Sequence, residues 1–545
     1  MTDRLPYDTV QRQVRGYDIP MVRLAGGNET SPADAGEMSA NSPVESQRGP
    51  ARELVKHTLI YGSGYIAMAA ASLVLIPLYT HYLSPSQFGL LALLLVFYGL
   101  CKQVYDLGFM NSVGRFFFDC KGLQGDVALR QMRSTSVLFM LTYGAILTAI
   151  LWVFAGECAH LLTGDPANRD LVRIVALTLY ADALTIVPLT LIRMQERSGL
   201  YVLITLLRFA ATLILSIIFV AVLEWGVRGA LIGSAIPTAL VLAVLLPDYA
   251  IVLRARPSRA LLRRMLAFGL PFFPVLLSVW VIDASDRYLI ELFRSRDEVG
   301  WYSLAYRIGA VMQIGVAAFS MGWAPLRYKI YDRPDAKAVY RRLATFYVLA
   351  ASLIGVGLAL LAEVIVAAVA PATYAPAADV VALIVLSYAL YGMYLMMVTG
   401  MGVTKKTAPM AAIAVAGAVV NVGLNLLLIP RWGMQAAAGS TAFAYVIMVG
   451  GAWWYSQRAY PIAYDWQRIG RIVLMAVAAV VAAGLTAPAG TVAAAAWGLA
   501  AWLVFVAALV ITRAVPREEV TILREWTGRA RVRVLRAVAR GATIR

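Results

Sequence analysis

The chain has 545 residues, of which 60% are hydrophobic and only 14% charged, with a mean hydropathy of +0.71; ordinary soluble domains carry roughly 25% charged residues. So little charge cannot cover a soluble surface, and the formal net charge of +17 (48 Lys+Arg against 31 Asp+Glu) belongs to a polytopic membrane protein, not to a nucleic-acid binder. Three cysteines at irregular spacing (Cys101, Cys120, Cys158) exclude a disulfide framework, and three histidines (His57, His81, His160) without HExxH spacing leave no metal centre or cofactor to predict.

Residues 1–52 are rich in Pro, Gly, Ser, Asp and Arg, as in Asn28-Glu29-Thr30-Ser31-Pro32, and are predicted to be a disordered tail. The tail lacks a charged n-region followed by an apolar h-region, so the first membrane segment is expected to act as its own insertion signal. Apolar runs of about 20 residues, enough to cross a bilayer, follow one another from residue 57. They are predicted at 57–80, 87–108, 134–156, 170–190, 200–223, 229–253, 265–290, 300–323, 341–370, 378–400, 408–429, 435–457, 470–488 and 491–513. The segment 514–545 places Leu523, Trp526, Ala530, Val534 and Val538 at helical spacing between arginines, the pattern of a basic amphipathic helix on anionic membrane lipids.

Orientation follows from the cation bias between alternate connections. With the N-terminus in the cytoplasm, 39 of the 48 cations fall on the cytoplasmic side, seven on the other, and Arg208 and Arg307 inside spans. Both termini are therefore predicted to be cytoplasmic. All connections on the far side are short, which leaves no room there for a catalytic loop.

The chain also resembles itself at a spacing of about 210 residues. Ser86-Gln87-Phe88-Gly89 pairs with Asp297-Glu298-Val299-Gly300, Arg115-Phe116-Phe117-Phe118-Asp119 with Arg327-Tyr328-Lys329-Ile330-Tyr331-Asp332, and Trp225-Gly226-Val227 with Trp432-Gly433-Met434. Six spans separate equivalent points, so the halves run the same way across the membrane, as in parallel-repeat transporters. The predicted fold is an all-α polytopic membrane protein of about 14 transmembrane helices. It comprises a tail (1–52), an N-lobe of six helices (53–257), a pseudo-symmetric C-lobe of six (258–460), two extra helices (461–513) and a basic tail (514–545).

Several activities lack their residues. The first external loop, His81-Tyr82-Leu83-Ser84-Pro85-Ser86, has no carboxylate for a membrane glycosyltransferase, and no large loop exists for a polysaccharide polymerase. The stretch Gly400-Met401-Gly402-Val403-Thr404-Lys405-Lys406-Thr407 has the wrong spacing for a phosphate-binding loop, which excludes an ATP-driven pump. Gly62-Ser63-Gly64-Tyr65-Ile66-Ala67 sits at the start of a membrane helix, where small residues serve helix packing.

Four stretches carry a family resemblance: Leu75-Ile76-Pro77-Leu78-Tyr79-Thr80 with Leu83-Ser84-Pro85-Ser86-Gln87-Phe88-Gly89; Arg193-Met194-Gln195-Glu196-Arg197; Asp286-Arg287-Tyr288 with Val299-Gly300-Trp301-Tyr302; and Asn421-Val422-Gly423-Leu424-Asn425 through Pro430-Arg431-Trp432-Gly433. On these residues the chain resembles the polysaccharide-transporter (Wzx-type O-antigen and exopolysaccharide flippase) branch of the multidrug/oligosaccharidyl-lipid/polysaccharide exporter superfamily. The resemblance implies export of an undecaprenyl-diphosphate-linked oligosaccharide across a bacterial inner membrane by alternating access, coupled to a Na+ or H+ gradient. It also implies a monomer working beside polysaccharide synthesis or polymerase proteins. The competing readings are a cation-coupled drug or metabolite antiporter of the same superfamily and a membrane glycosyltransferase or polymerase.

Charges inside spans are costly and mark candidate sites. Arg208 and Arg307, each deep in a span, are the first candidates for the diphosphate, since the arginine fork donates two parallel hydrogen bonds. Arg287, Arg193 and Arg115 are further substrate-binding candidates, the last two at cytoplasmic ends where they also serve topology. Asp182, at mid-span, is a candidate for ion coupling or for pairing with Arg208. Asp283 and Asp286 share a helical face with Arg287 by their three- and four-residue spacings, the pattern of an interlobe gate or of an internal Asp283–Arg287 pair. Asn421 and Asn425 read as helix-packing polar residues, and Trp301, Trp323, Trp432, Trp453 and Trp454 as interfacial aromatics.

Overall fold

The computed structural model describes residues 74–512 apart from 124, 196, 253–255, 405–407, 487 and 489. The predicted N-terminal tail, most of the first span with Gly62-Ser63-Gly64, and the basic C-terminal segment lie outside the described residues. The predicted spans from the second to the last fall in helical segments, and no strand occurs among the described residues. Among the described residues, eleven helices are long and apolar enough to cross a membrane, twelve when one bent pair is counted as a single span.

The first half contains α1 (74–82), α2 (Pro85–Asp106), α3 (Phe109–Leu123), α4 (Gly125–Val153), α5 (Ala155–Thr163), α6 (Arg169–Met194), α7 (Ser198–Ser216) and α8 (Gly226–Val252). The second contains α9 (Arg259–Gly269), α10 (Phe273–Phe293), α11 (Arg296–Ile330), α12 (Ala336–Leu360), α13 (Ala362–Val369), α14 (Ala378–Met397), α15 (Thr399–Val403) and α16 (Ala408–Ala459). Two more helices, α17 (Trp466–Leu485) and α18 (Thr491–Ile511), complete the described chain. In the first half α6 packs on α4 and α8, with α7 on α8; in the second, α14 packs on α11, α12 and α16. The last two helices pack on α12, where Gly498 meets the Leu360 carbonyl closely and Trp502 Nε1 donates to Leu353 O at 3.0 Å.

The internal repeat is visible atom by atom. Ser84 caps α2 by accepting from Gln87 N (3.3 Å), and Gln87 Oε1 accepts from Ser84 N (3.1 Å), a complete capping box with Pro85 in the first turn. Ser295 caps α11 identically, accepting from Glu298 N at 3.2 Å. Glu298 turns its carboxylate outward instead, accepting from Met434 N at 2.5 Å and from Arg294 Nε at 3.2 Å. The repeated Trp-Gly pairs end in glycines with φ of +54°, Gly226 and Gly433, a left-handed conformation that other residues adopt only with strain. Gly433 divides α16 into two antiparallel spans, and a Cβ there would strike the Glu298 carboxylate.

The equivalent helices α2 and α11 meet each other. Gly89 lies against the Arg296 carbonyl and the Gly300 amide, while Gly300 lies against the Pro85 carbonyl, so neither position has room for a side chain. Two crossed bonds flank this contact: Tyr374 Oη donates to Leu83 O (2.9 Å), and Arg296 Nη2 donates to Thr163 O (2.5 Å). Both donors come from the second half and both acceptors from the first. The edge of Phe88 meets the Tyr374 ring with centroids 5.9 Å apart.

The predicted seventh span differs from expectation. It is two arms, Arg259–Phe272 and Leu276–Phe293, bent by 47°. Pro271 and Pro274 remove backbone donors at the bend. The first arm, α9, packs on α3 and α4 of the first half, with Ser112 Oγ donating to Met265 O at 2.7 Å. Trp323 also departs from its interfacial reading: it is buried against Phe319 and Tyr340, whereas Trp432, Trp453 and Trp454 are exposed.

Candidate functional site

Two polar clusters lie inside the apolar bundle. In the first half, the Asp182 carboxylate on α6 is buried and holds two cations. Arg208 Nη1 reaches Oδ1 at 2.9 Å and Lys102 Nζ reaches Oδ2 at 2.7 Å. Arg208 Nη2 also donates to Thr238 Oγ1 at 2.9 Å, which fixes its fork against α8. Arg208 lies ten residues into α7, about 15 Å from its start at 1.5 Å per residue, close to the midplane of a core about 30 Å thick. The cluster opens into a cavity of about 250 Å³ lined by Tyr98, Thr178, Arg208, Thr212, Ser234 and Thr238 among apolar residues. Two cations share one carboxylate, so the cluster carries a formal excess of one positive charge. Lys102 remains about half exposed, with 47% of its side chain accessible, while Arg208 is the cation that lines the cavity.

The second cluster reverses this ratio. Asp283 and Asp286 lie one turn apart on α10, with Arg287 the only cation between them among the described contacts. Asp286 is fully buried; it accepts from Tyr302 Oη, from Tyr306 Oη at 3.4 Å and from the Arg287 amide at 2.9 Å. Arg287 Nη1 donates to the Asp283 backbone carbonyl at 2.6 Å and stands 3.6 Å from the Asp286 carboxylate. Its guanidinium carbon lies 4.2 Å from the centroid of the Tyr306 ring, a cation–π contact in a desolvated setting. The Asp283 carboxylate accepts instead from Tyr445 Oη of α16 at 3.0 Å. The expected Asp283–Arg287 ion pair is replaced by one between Arg287 and the Asp286 carboxylate, because Arg287 reaches only the backbone carbonyl of Asp283, whose carboxylate is joined across helices to Tyr445.

Arg307 belongs to neither cluster. It lies eleven residues into α11, about 16 Å deep, with its guanidinium over the rings of Phe88 (5.0 Å) and Tyr79 (5.5 Å). It has no ion-pair or hydrogen-bond partner among the described residues. Tyr79 Oη in turn lies 3.1 Å from Ser216 Oγ at the end of α7. The other two candidates lie elsewhere. Arg115 is exposed and pairs with Asp119 at 3.5 Å, and Arg193 stacks over Tyr201 at 6.0 Å. Asn421 and Asn425 are buried, with Asn421 Nδ2 donating to Thr441 Oγ1 (3.1 Å) and Asn425 Nδ2 to Asn421 Oδ1 (3.3 Å), so they join the two arms of α16.

No sequence pattern marks Lys102, nor Tyr302, Tyr306 and Tyr445, which donate to the acidic pair, nor Tyr388, whose ring meets Tyr306 at 6.0 Å. Lys102 stands one turn from the end of α2, where it counts among the cytoplasmic cations. Tyr302, Tyr306, Tyr388 and Tyr445 sit in apolar runs with no polar periodicity; only the four-residue spacing of Tyr302 and Tyr306, opposite the charged face of α10, hints at their role. No group of three or more His, Cys, Asp or Glu residues suited to a metal occurs among the described residues.

A family model described as "Polysaccharide biosynthesis protein" matches residues 54–330. No curated protein matches the chain. Among solved structures, the chain is similar to the lipid II flippase MurJ in an inward closed conformation, with a TM-score of 0.68, 13% identity, and coverage of 84% of this chain and 99% of that one. It is also similar to an inward-facing multidrug resistance MATE family transporter of the MOP superfamily (TM-score 0.59, 16% identity, 72% and 94% coverage). A Vibrio cholerae MATE transporter matches with a TM-score of 0.53, 18% identity, and 76% and 98% coverage. At these identities the likeness is one of fold.

Proposed function

The chain belongs to the polysaccharide biosynthesis protein family, and from that premise we propose that it is a flippase for an undecaprenyl-diphosphate-linked oligosaccharide. It carries an exopolysaccharide or O-antigen unit from the cytoplasmic to the periplasmic leaflet of a bacterial inner membrane by alternating access between two six-helix lobes. No bond is made or broken in the substrate, so the protein is a transporter and not an enzyme.

The observation that carries this reading is the excess cation at Lys102–Asp182–Arg208, facing a cavity near mid-membrane depth. A diphosphate and its sugars cannot enter hydrocarbon unaided, and an unpaired cation there is costly until an anion arrives. The head group is received by Lys102 and Arg208, with Arg307 as a second station, while the polyprenyl tail stays in lipid. Asp283 and Asp286, with a single arginine between them, supply the carboxylate that takes up the coupling Na+ or H+. Asp182, already held by two cations, serves to position Arg208 and Lys102. Polysaccharide synthesis or polymerase proteins are its expected partners, and membrane lipids its surroundings.

Deleting the gene tests the function: lipid-linked glycan accumulates on the cytoplasmic leaflet, and the surface polysaccharide is lost. Normal glycan in a deletion strain that becomes sensitive to drugs overturns the flippase in favour of the antiporter.

A further inference from the structure

The cavity beside Arg208 is lined by hydroxyl side chains from three helices: Thr178 on α6, Thr212 on α7, and Ser234 and Thr238 on α8. Each hydroxyl already donates its one proton to a carbonyl of its own helix. Thr178 Oγ1 donates to Ile174 O at 2.7 Å, Thr212 Oγ1 to Arg208 O at 2.9 Å, Ser234 Oγ to Leu231 O at 2.8 Å and Thr238 Oγ1 to Ser234 O at 2.9 Å. A carbonyl oxygen only accepts, so the proton is committed in every case and each hydroxyl oxygen keeps its lone pairs. Thr238 uses one of these to accept from Arg208 Nη2 at 2.9 Å. The lining therefore sets a strong donor, the Arg208 guanidinium, beside hydroxyl oxygens that present acceptors, among apolar side chains.

We infer that this cavity is a subsite for the sugar joined directly to the diphosphate, and that it selects a neutral hexose or N-acetylated hexosamine over a uronic acid or a free amino sugar. The inference rests on the flippase reading and narrows its cargo. Acceptors require a ligand that donates, and a neutral sugar carries hydroxyl or amide N–H donors around an apolar C–H frame. A carboxylate brings lone pairs toward oxygens that already present lone pairs, and it competes with the diphosphate for Arg208. A free ammonium donates well, but it meets the excess positive charge of Lys102 and Arg208 over Asp182, and like charges repel strongly at this range. At about 250 Å³ the cavity is smaller than the roughly 300–1,000 Å³ of pockets that enclose drug-sized ligands, which fits one ring and not an oligosaccharide. The outer sugars are therefore not read here.

The test is native mass spectrometry of the purified full chain in detergent with three probes: undecaprenyl diphosphate, the same lipid carrying one N-acetylglucosamine, and the same lipid carrying one glucuronic acid. The wild type binds the N-acetylglucosamine lipid about tenfold more tightly than the bare diphosphate, the contribution of one or two neutral hydrogen bonds. The glucuronic acid lipid binds no more tightly than the bare one. T178V/S234A removes acceptors on α6 and α8 while Arg208, Lys102 and Thr238 stay in place, and it abolishes the preference for the N-acetylglucosamine lipid. T178S, which keeps the hydroxyl, retains that preference. Should T178V/S234A fail to fold, T212V removes the acceptor on α7 and lowers the same preference. Equal affinity of the wild type for the N-acetylglucosamine and bare lipids, an unchanged preference in the folded variants, or a preference for the glucuronic acid lipid overturns the subsite and leaves the flippase reading standing. A wild type that binds none of the three lipids overturns both.

Discussion

The polar clusters of the two halves are near-inverses. In the first, two cations share one carboxylate, half exposed beside a cavity; in the second, two carboxylates flank one arginine, enclosed by tyrosines. The open, cation-rich cluster pays its desolvation cost only in part and keeps room for an anion. The closed cluster satisfies its charges within the protein, through Tyr302, Tyr306 and Tyr445, and has a carboxylate left over. Opposite charge excesses thus stand at places that the internal repeat does not relate, Asp182 and Arg208 on α6 and α7 and the acidic pair on α10.

The largest expected effect comes from breaking the closed cluster. Arg287→Ala leaves the buried Asp286 uncompensated and costs about 3 kcal/mol or more, read as a lower melting temperature in detergent. Tyr302→Phe removes one donor from the same carboxylate and costs about 1–3 kcal/mol. In the open cluster the effect falls on transport: Arg208→Ala lowers glycan export about tenfold or more with little change in melting temperature, because Lys102 still neutralises Asp182. Lys102→Ala lowers export less, and a larger loss than for Arg208→Ala reverses their order as phosphate ligands. Arg115→Ala, which breaks an exposed pair with Asp119 and a contact over the Phe268 ring at 5.7 Å, changes stability by about 1 kcal/mol or less. A large stability loss in Arg208→Ala would erase the contrast between the halves.

Much of the fold was legible in the sequence because hydrocarbon imposes one-dimensional rules. Apolar runs located the helices, and the motifs around Ser84 and Ser295 and around Gly226 and Gly433 marked equivalent turns whose capping and backbone angles coincide in the structure. The bend after α9 was not read, although Pro271 and Pro274 mark it, because the hydropathy of the stretch is unbroken. The sites were legible only as isolated charges. Arg208, Arg307 and Asp182 stand out because each is expensive where it lies. Lys102 is hidden among topological cations, and the link between Asp283 and Tyr445 spans 162 residues that no local periodicity connects.

The meeting of Gly89 and Gly300 has a further consequence. That joint is made of main-chain carbonyls, amides and absent side chains, and its flanking bonds also end on main-chain carbonyls. Lys102 and Arg307, the proposed head-group ligands on these helices, lie elsewhere along them. Substitutions at those ligands therefore leave the main-chain seam between the halves untouched.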